Sequence, residues 1–369
     1  MAKIKTAATP IYNTKVKPAD IRVIETSLIN KEAVFQMLAL AEAIQLPVLL
    51  VGDPGVAKTK AVLDYAKAWN KGHTAAGESF NKNFMDKIFI LETDEGTKSS
   101  EIKGMPNLER LFTDNKYELD TPAADAEVVV VNEIDKASSN IRNSMLGIMN
   151  ERFLFNGKYK KPCAWKLFVG TCNVIPKDEI KSPFWDRFML KMDVSRVTQG
   201  ELVTYFKQGA RNYKEVITIG VPTKAELETI IINPKKLEKF LNVCYKQLSD
   251  RTLTFVPLMT KAVSVIWNVS IDEALVKVCD IMVPGNTAAS TLRDLLINQQ
   301  MKSLLSKIEL LGTYKTKDDV NSAIQDIEVY VNTYHTEGHL DADNIEELGN
   351  LIADAIEKHP TTVPDLQAV

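Results

Sequence analysis

The sequence predicts an α/β fold, with a mostly parallel sheet covered by helices, followed by an all-helical part. Three observations predict it. Short apolar, β-branched runs alternate with helical stretches through about residue 194. The first run, Val48 to Val51, ends in a glycine-bearing turn followed by Lys58 and Thr59. Beyond Val194 the pattern turns helical, with several helix-starting caps. Apolar strands separated by helices indicate a parallel sheet buried on both faces.

The elements follow in order. Residues 1–25 read as an irregular N-terminal extension. Asn30 can cap a helix running to about Ile44, with Val34, Leu38 and Ala41 on one face. Val48 to Val51 read as a buried strand, and Lys60 to Trp69 are helix-compatible. Further strands are expected at Lys87 to Glu92, Glu127 to Val131, Lys166 to Gly170 and Met189 to Val194. A helix is expected over Ser139 to Arg152. Asn156-Gly157 between β-formers signals a hairpin. Thr198-Gln-Gly-Glu201 and Thr223-Lys-Ala-Glu226 read as capping boxes, and Asn233-Pro234 as a third helix start. These signals set the expected domains: an extension over 1–25, an α/β domain over 26–195, a helical lid over 196–311 and C-terminal helices over 312–369. In the last segment one helix carries Val320, Ile324, Ile327, Val331 and Tyr334, and another Ile345, Leu348, Ile352 and Ile356.

The chain has 369 residues, enough for two or three domains, and the composition of a soluble globular protein. A net charge of −3 gives no electrostatic case for nonspecific nucleic-acid binding, although a local basic groove stays open. No apolar run approaches the ~20 residues that span a bilayer. Met1 to Asp20 lacks the apolar core of a secretory signal. Cys163, Cys172, Cys244 and Cys279 are scattered, as buried thiols of a reducing compartment would be, so a cytoplasmic location is expected. His335 and His339 bracket Thr-Glu-Gly, but the order is not H-E-x-x-H and Gly338 weakens any helix there, so a solvated turn is expected.

The most informative segment is Gly52-Asp53-Pro54-Gly55-Val56-Ala57-Lys58-Thr59. Gly52 and Gly55 let the backbone turn tightly and aim N–H groups at an anion. Lys58 can reach β- and γ-phosphates, and the Thr59 hydroxyl can hold Mg²⁺. The helix that follows would put its N-terminus at the phosphates. The spacing fits G-x-x-x-x-G-K-[ST] except that Ala57 stands where the second glycine belongs. Taken alone, the segment also fits a Gly/Pro turn before an ordinary amphipathic helix.

Polar residues then fall where strands end. The third strand delivers Asn132-Glu133-Ile134-Asp135 to the carboxyl edge of the sheet, where ligands bind. In a phosphate-loop ATPase the first such residue, usually aspartate, orders the Mg²⁺ shell, and a glutamate then polarises water. Glu133 fits that base. Asn132 offers an amide oxygen to a metal-bound water but carries no charge, which implies weaker magnesium binding and slow turnover. Asp135, two residues on, is expected to point elsewhere. Asn173, just after the fourth strand, can sit between a γ-phosphate and the lytic water. Arg187 precedes the fifth strand and, in a ring of subunits, can face a neighbour's nucleotide; the bland alternative is a structural Asp186–Arg187 pair. Arg251 opens a helix capped by Ser249 or Asp250, where a cation opposes the helix dipole unless an anion is near; a surface ion pair is the alternative. Arg293 is a second candidate for the same duty.

With these residues in order, the chain resembles an AAA+ ATPase of the MoxR group, in particular its RavA-like branch. The Pro54-Gly-Val-Ala-Lys58 core is typical of that group and accounts for the alanine. Asn132-Glu-Ile-Asp-Lys-Ala137 is similar to its Asp-Glu-Ile-x-Lys/Arg-Ala segment, and Asn150-Glu-Arg-Phe153 to the stretch that follows. Ser100-Glu-Ile-Lys-Gly104 resembles the lead into a helix-2 insert, expected over 104–122. Asp186-Arg-Phe188 matches the arginine-finger motif, and Ser249-Asp-Arg251 resembles the second-sensor motif, which favours Arg251 over Arg293. The likeness covers roughly residues 28–285.

That resemblance implies an ATP-driven chaperone or remodelling motor assembled as a hexameric ring, with ATP and Mg²⁺ between subunits. Lys58 and Arg251 would contact phosphates, Glu133 would activate water, and Arg187 would act from the next subunit. Relatives commonly work with proteins carrying a von Willebrand factor A domain. Two other classes stay open: a nucleotide-gated scaffold with weak turnover, and a nucleic-acid motor using Lys158, Lys160 and Lys161 of the hairpin, lysines that also fit a solvated turn.

Overall fold

The computed structural model describes residues 18–71, 87–115, 117–157, 159–176, 182–207, 213–283, 287–293 and 322–327, with Glu179, Leu295, Leu296, Ile308 and Val329. The described chain divides into two compact units between Glu226 and Leu227.

The first unit opens with β1 (Asp20–Thr26), α1 (Glu32–Ile44), β2 (Val48–Val51) and α2 (Lys58–Lys71). Next come β3 (Ile88–Glu92), α3 (Ser99–Lys103), β4 (Met105–Pro106), α4 (Leu108–Thr113), β5 (Leu119–Asp120) and α5 (Pro122–Asp125). Then follow β6 (Val128–Asn132), α6 (Ser139–Leu146), β7 (Phe153–Asn156), β8 (Tyr159–Pro162), β9 (Leu167–Cys172), α7 (Pro183–Asp186) and β10 (Leu190–Asp193). The unit ends through α8 (Gln199–Lys207), β11 (Glu215–Val221) and the first residues of α9 (Lys224–Thr229).

Five strands form one parallel sheet in the order β10-β2-β9-β6-β3. β6 and β9 are buried at every position, as expected of central strands covered on both faces. Because all five run the same way, their carboxyl ends share one edge. Glu92 is level with Asn132, and Val51 with Cys172 and Asp193. β2 lies between β10 and β9, so its following turn leaves that edge with a strand on either side. Trp165, Phe168, Trp185 and Phe188 are buried beside the sheet, with edge-on ring contacts between Trp165 and Phe168 and between Phe184 and Phe188. The segment over 104–122 folds as a short hairpin, β4 with β5, that carries α4.

Several local expectations change. The extension over 1–25 contains β1, and the part assigned to a helical lid contains β11; the two pair antiparallel from Asp20↔Val221 to Thr26↔Glu215. Residues 196–226 therefore belong to the first compact unit, and the chain divides about thirty residues later than the expected boundary at 195/196. β1 escapes a pattern reading because its pleat is inverted. Arg22, Ile24 and Thr26 face inward, whereas Ile21 and Val23 stay exposed. The buried guanidinium of Arg22 is matched by Glu42, at 2.6 Å, and Tyr65 donates to the same carboxylate at 2.5 Å. Asn30 does not cap α1: it sits outside the helix in the left-handed region (φ 52°) and its amide donates to Glu201. Lys31 is the capping position, without a side-chain cap. The helix expected over 139–152 changes to a π-turn over Gly147–Glu151 and ends at Arg152 in the left-handed region. Arg152 lies 3.4 Å over the Trp165 ring and donates to the Trp165 and Gln45 carbonyls. The hairpin forms, but Asn156 is not part of its turn, because it pairs with Tyr159.

The described part of the second unit is helical: the end of α9, then α10 (Pro234–Cys244), α11 (Asp250–Ile266), α12 (Ile271–Met282) and α13 (Ala288–Arg293). Asn233, Ser249 and Ser270 each accept a backbone N–H at a helix start. Phe240, Met259, Val263, Leu275 and Leu292 are buried. The Sγ atoms of Cys244 and Cys279 lie 3.1 Å apart, and all four cysteines are buried and free. Among the described residues no single helix is long and apolar enough to cross a membrane. Of the C-terminal helices, residues 322–327 are helical with Ile324 and Ile327 buried; the helix expected around 345–356 and His335 and His339 lie outside the described residues.

Candidate nucleotide site

The turn after β2 is fixed from below. Gly52 N donates to Cys172 O at 3.1 Å, tying it to the neighbouring strand. A Cβ at Gly52 would stand 2.5 Å from the Val194 carbonyl oxygen, so only glycine fits there. Gly55 needs glycine for a different reason: nothing crowds it, but its φ is +83°. Ala57 adopts φ 67° without being glycine, a conformation costing about 1–2 kcal/mol. α2 starts at the next residue, so the loop delivers its N–H groups to a helix N-terminus.

The side chains converge on the strand edge. Lys58 Nζ donates to the Gly52 and Asp53 carbonyls and, at 3.3 Å, to Asn173 Oδ1. Thr59 Oγ1 donates to Asn132 Oδ1 at 2.9 Å, and Thr171 Oγ1 donates to the same oxygen at 3.0 Å. Asn132 Nδ2 donates to Glu92 Oε1 at 2.6 Å. A cleft of about 260 Å³ is lined by Lys58, Thr59, Glu92, Asn132, Glu133 and Asn173, among others.

Glu133 sits in the left-handed region (φ 55°), rare for a non-glycine residue. Its neighbours over-determine that conformation: Thr171 Oγ1 accepts from Glu133 N, and Thr93 Oγ1 donates to Glu133 O at 2.8 Å. The Glu133 carboxylate accepts from Lys136 Nζ at 2.6 Å, and that bond raises the Lys136 ammonium above its ordinary pKa. Asp135 lines a separate cleft with Asp94, Lys136 and Arg142.

A second pocket, of about 540 Å³, shares Pro54 to Ala57 with the first. Leu28, Ile29, Val197, Leu202 and Tyr205 wall it, a surface able to take a flat heterocyclic base. These residues were missed in the sequence because they come from the segment before α1 and from the segment around α8. Glu92 and Thr171 were missed as well. The signal for Glu92 was a charged residue closing an apolar strand.

The Asn132 side-chain oxygen already accepts two hydroxyl donors, which fill its lone-pair capacity. The donors gathered here are all oxygens, one of them the carboxylate of Glu92, which suits a hard cation such as Mg²⁺. Burial pushes the thiol of Cys172, under the loop, up to about 12, so it is held in its neutral form.

Arg187 closes α7. Its Nη1 donates to Pro183 O at 2.7 Å, and its Nε is buried with no hydrogen-bond partner among the described residues. No ion pair joins it to Asp186 among those residues. In the second unit, Arg251 is exposed in the first turn of α11, capped by Ser249. Arg293 is held in a two-point ion pair with Glu273, at 3.0 and 2.8 Å.

A five-stranded parallel sheet with a phosphate loop after the inner strand β2 and polar residues closing β6 and β9 is the fold of an AAA+ ATPase. A family model described as the MoxR domain of MoxR–vWA–beta-propeller ternary systems matches residues 15–230, and the chain belongs to that family. The match does not distinguish the RavA-like branch. Two uncharacterized proteins of Methanocaldococcus jannaschii are similar: MJ0079, 26% identical over 55% of this chain and 52% of its own length, and MJ0812, 27% identical over 47% and 43%. Structural protein ORF618 of Acidianus two-tailed virus is 30% identical over 39% of this chain and 22% of its own length. The chain thus spans about half, or less, of the curated relatives it matches. A crystal structure from Cytophaga hutchinsonii, described as a candidate ATPase, shares the fold with a TM-score of 0.50 at 12% identity, over 69% of this chain and 82% of that one.

Proposed function

We propose that this chain is an ATP-driven remodelling ATPase that acts on protein partners as a ring, most simply a hexamer. The observation that carries the reading is the convergence of Lys58, Thr59, Asn132, Glu133 and Asn173 on one cleft beside the loop. In this reading the loop from Gly52 to Thr59 cradles the phosphates and the adjoining apolar pocket takes the base. Lys58 neutralises phosphate charge. Glu133 accepts a proton from the attacking water, and its restrained backbone aims it in advance. Asn173, within reach of Lys58, orients the terminal phosphate. Arg187 acts from a neighbouring subunit, and its unpartnered Nε supports a role toward an anion. Arg251 serves as the second sensor. Mg²⁺, when bound, supplies charge neutralisation between the phosphates. The family's description favours a partner with a von Willebrand factor A domain.

ATP hydrolysis by the purified protein tests this. Lys58→Ala should abolish nucleotide binding, and Glu133→Gln should bind ATP but turn it over at least about a hundredfold more slowly. Normal hydrolysis by either variant would reject the assignment.

A nucleotide-gated scaffold with weak turnover is the second reading, and the uncharged Asn132 favours it. The similarity to a viral structural protein points the same way. ATP-dependent assembly measured by mass photometry, beside negligible phosphate release, would select it.

A further inference from the structure

We propose that Glu92 supplies the negative charge that the strand-end position of Asn132 lacks, making Glu92 the acidic group of the magnesium site. The inference rests on the nucleotide reading of the cleft and assigns a residue within it.

A magnesium ion bound with nucleotide is usually held by one or two protein carboxylates besides the phosphates. Asn132 ends β6 where such a group is needed, yet it is neutral, and its oxygen is occupied by the hydroxyls of Thr59 and Thr171. Asp135 lines another cleft. Glu133 is engaged with Lys136 and is the candidate base. Glu92 remains. It ends the adjacent strand β3, level with Asn132, and lines the same cleft as Thr59.

The hydrogen bonding shows that the pair is matched. A carboxylate only accepts, so the Asn132 amide must present Nδ2 to Glu92, at 2.6 Å. That leaves Oδ1 for the two hydroxyls, and every polar atom of the amide is used. Only Oε1 of Glu92 accepts this bond; among the described residues Oε2 has no protein partner. An aspartate at position 132 would instead set two carboxylates within hydrogen-bond distance, which strongly disfavours ionising both. Asparagine at 132 and glutamate at 92 therefore form one unit: the acid has moved one strand over, and the amide holds it.

The test uses the full chain and a fluorescent ATP analogue, titrated with Mg²⁺ and separately in EDTA. Glu92→Gln keeps an acceptor for Asn132 Nδ2 and removes only the charge. Its half-saturating Mg²⁺ should rise about tenfold or more, while affinity in EDTA, with one fewer negative charge beside the phosphates, should not fall. The double variant Glu92→Gln/Asn132→Asp returns a carboxylate to the edge and should recover most of that loss. Electron paramagnetic resonance of Mn²⁺ in the nucleotide complex gives a readout independent of turnover, and Glu92→Gln should release the ion. Superimposable Mg²⁺ titrations for the native chain and Glu92→Gln overturn the assignment while leaving the nucleotide site intact. Absence of nucleotide binding by the native chain under both conditions overturns the nucleotide reading itself, and this inference with it.

Discussion

Thr59 and Asn132 are joined side chain to side chain: the Thr59 hydroxyl donates to Asn132 Oδ1 across 2.9 Å, binding the first turn of α2 to the end of β6. The same amide oxygen takes the Thr171 hydroxyl at 3.0 Å, so three elements meet at one buried atom. Removing that hub leaves two hydroxyls and one carboxylate without their partner. Asn132→Ala should cost about 1–3 kcal/mol, the usual penalty for stranding buried polar groups. Urea unfolding of the native chain and the variant reads the difference. An unchanged midpoint would mean that water satisfies these groups without loss.

Ala57 supplies a prediction of opposite sign. It holds φ 67° in a loop where the phosphate-binding pattern has glycine. An L-residue there costs about 1–2 kcal/mol relative to glycine. Glycine carries an entropic penalty of about 0.5–1 kcal/mol in the unfolded chain. The balance favours Ala57→Gly by up to about 1.5 kcal/mol, a rise in melting temperature of at most about 3–6 °C in a unit of this size. A lowered melting temperature would show that the alanine methyl makes contacts worth more than the strain.

The phosphate loop was legible because its chemistry is local. A tight turn, a lysine and a hydroxyl must follow one another, so Gly52 to Thr59 announce themselves in sequence. The five sheet strands were legible because β6 and β9 are buried on both faces and read as unbroken apolar runs. β1 was not, because Arg22 is the buried residue and Ile21 and Val23 the exposed ones. Its burial depends on Glu42 and Tyr65, which come from two other helices. Glu92 was hidden for the same reason. Its meaning comes from standing beside Asn132, forty positions further along, and only strand pairing creates that neighbourhood. The left-handed conformations of Ala57 and Glu133 leave no compositional trace, since alanine and glutamate are ordinary helix formers.

Gly52 tests whether the loop's position, and not merely its flexibility, matters. A methyl there would meet the Val194 carbonyl oxygen at 2.5 Å, and that backbone, part of the chain leaving β10, leaves little room to yield. Gly52→Ala should displace the loop from β10 and weaken nucleotide binding by at least about tenfold, while the sheet stays folded. Calorimetric titration with ATP, beside circular dichroism, checks both halves. Full affinity in Gly52→Ala would show that the clash relaxes at no cost to the site.

Tyr65 carries the pH dependence. Burial, first, and the adjacent Glu42 carboxylate, second, raise its phenol well above the ordinary value of 10.0. The folded chain therefore keeps this proton where the unfolded chain releases it. A raised folded-state value means that its contribution to stability is complete below about pH 10 and is lost as pH climbs beyond it. Tyr65→Phe removes the ionisation along with the hydrogen bond to Glu42. At neutral pH the variant should be less stable by about 1.5–3 kcal/mol, the range for a hydrogen bond to a charged group. Above about pH 10 the native chain should lose stability faster than the variant, so the gap between them narrows. Urea midpoints for both proteins from about pH 7 to about pH 11 measure it, and the pH span brackets the ordinary tyrosine range. A gap that holds constant to the top of that range would mean that Tyr65 ionises equally in both states, and that the Arg22–Glu42–Tyr65 cluster opens to solvent before the chain unfolds.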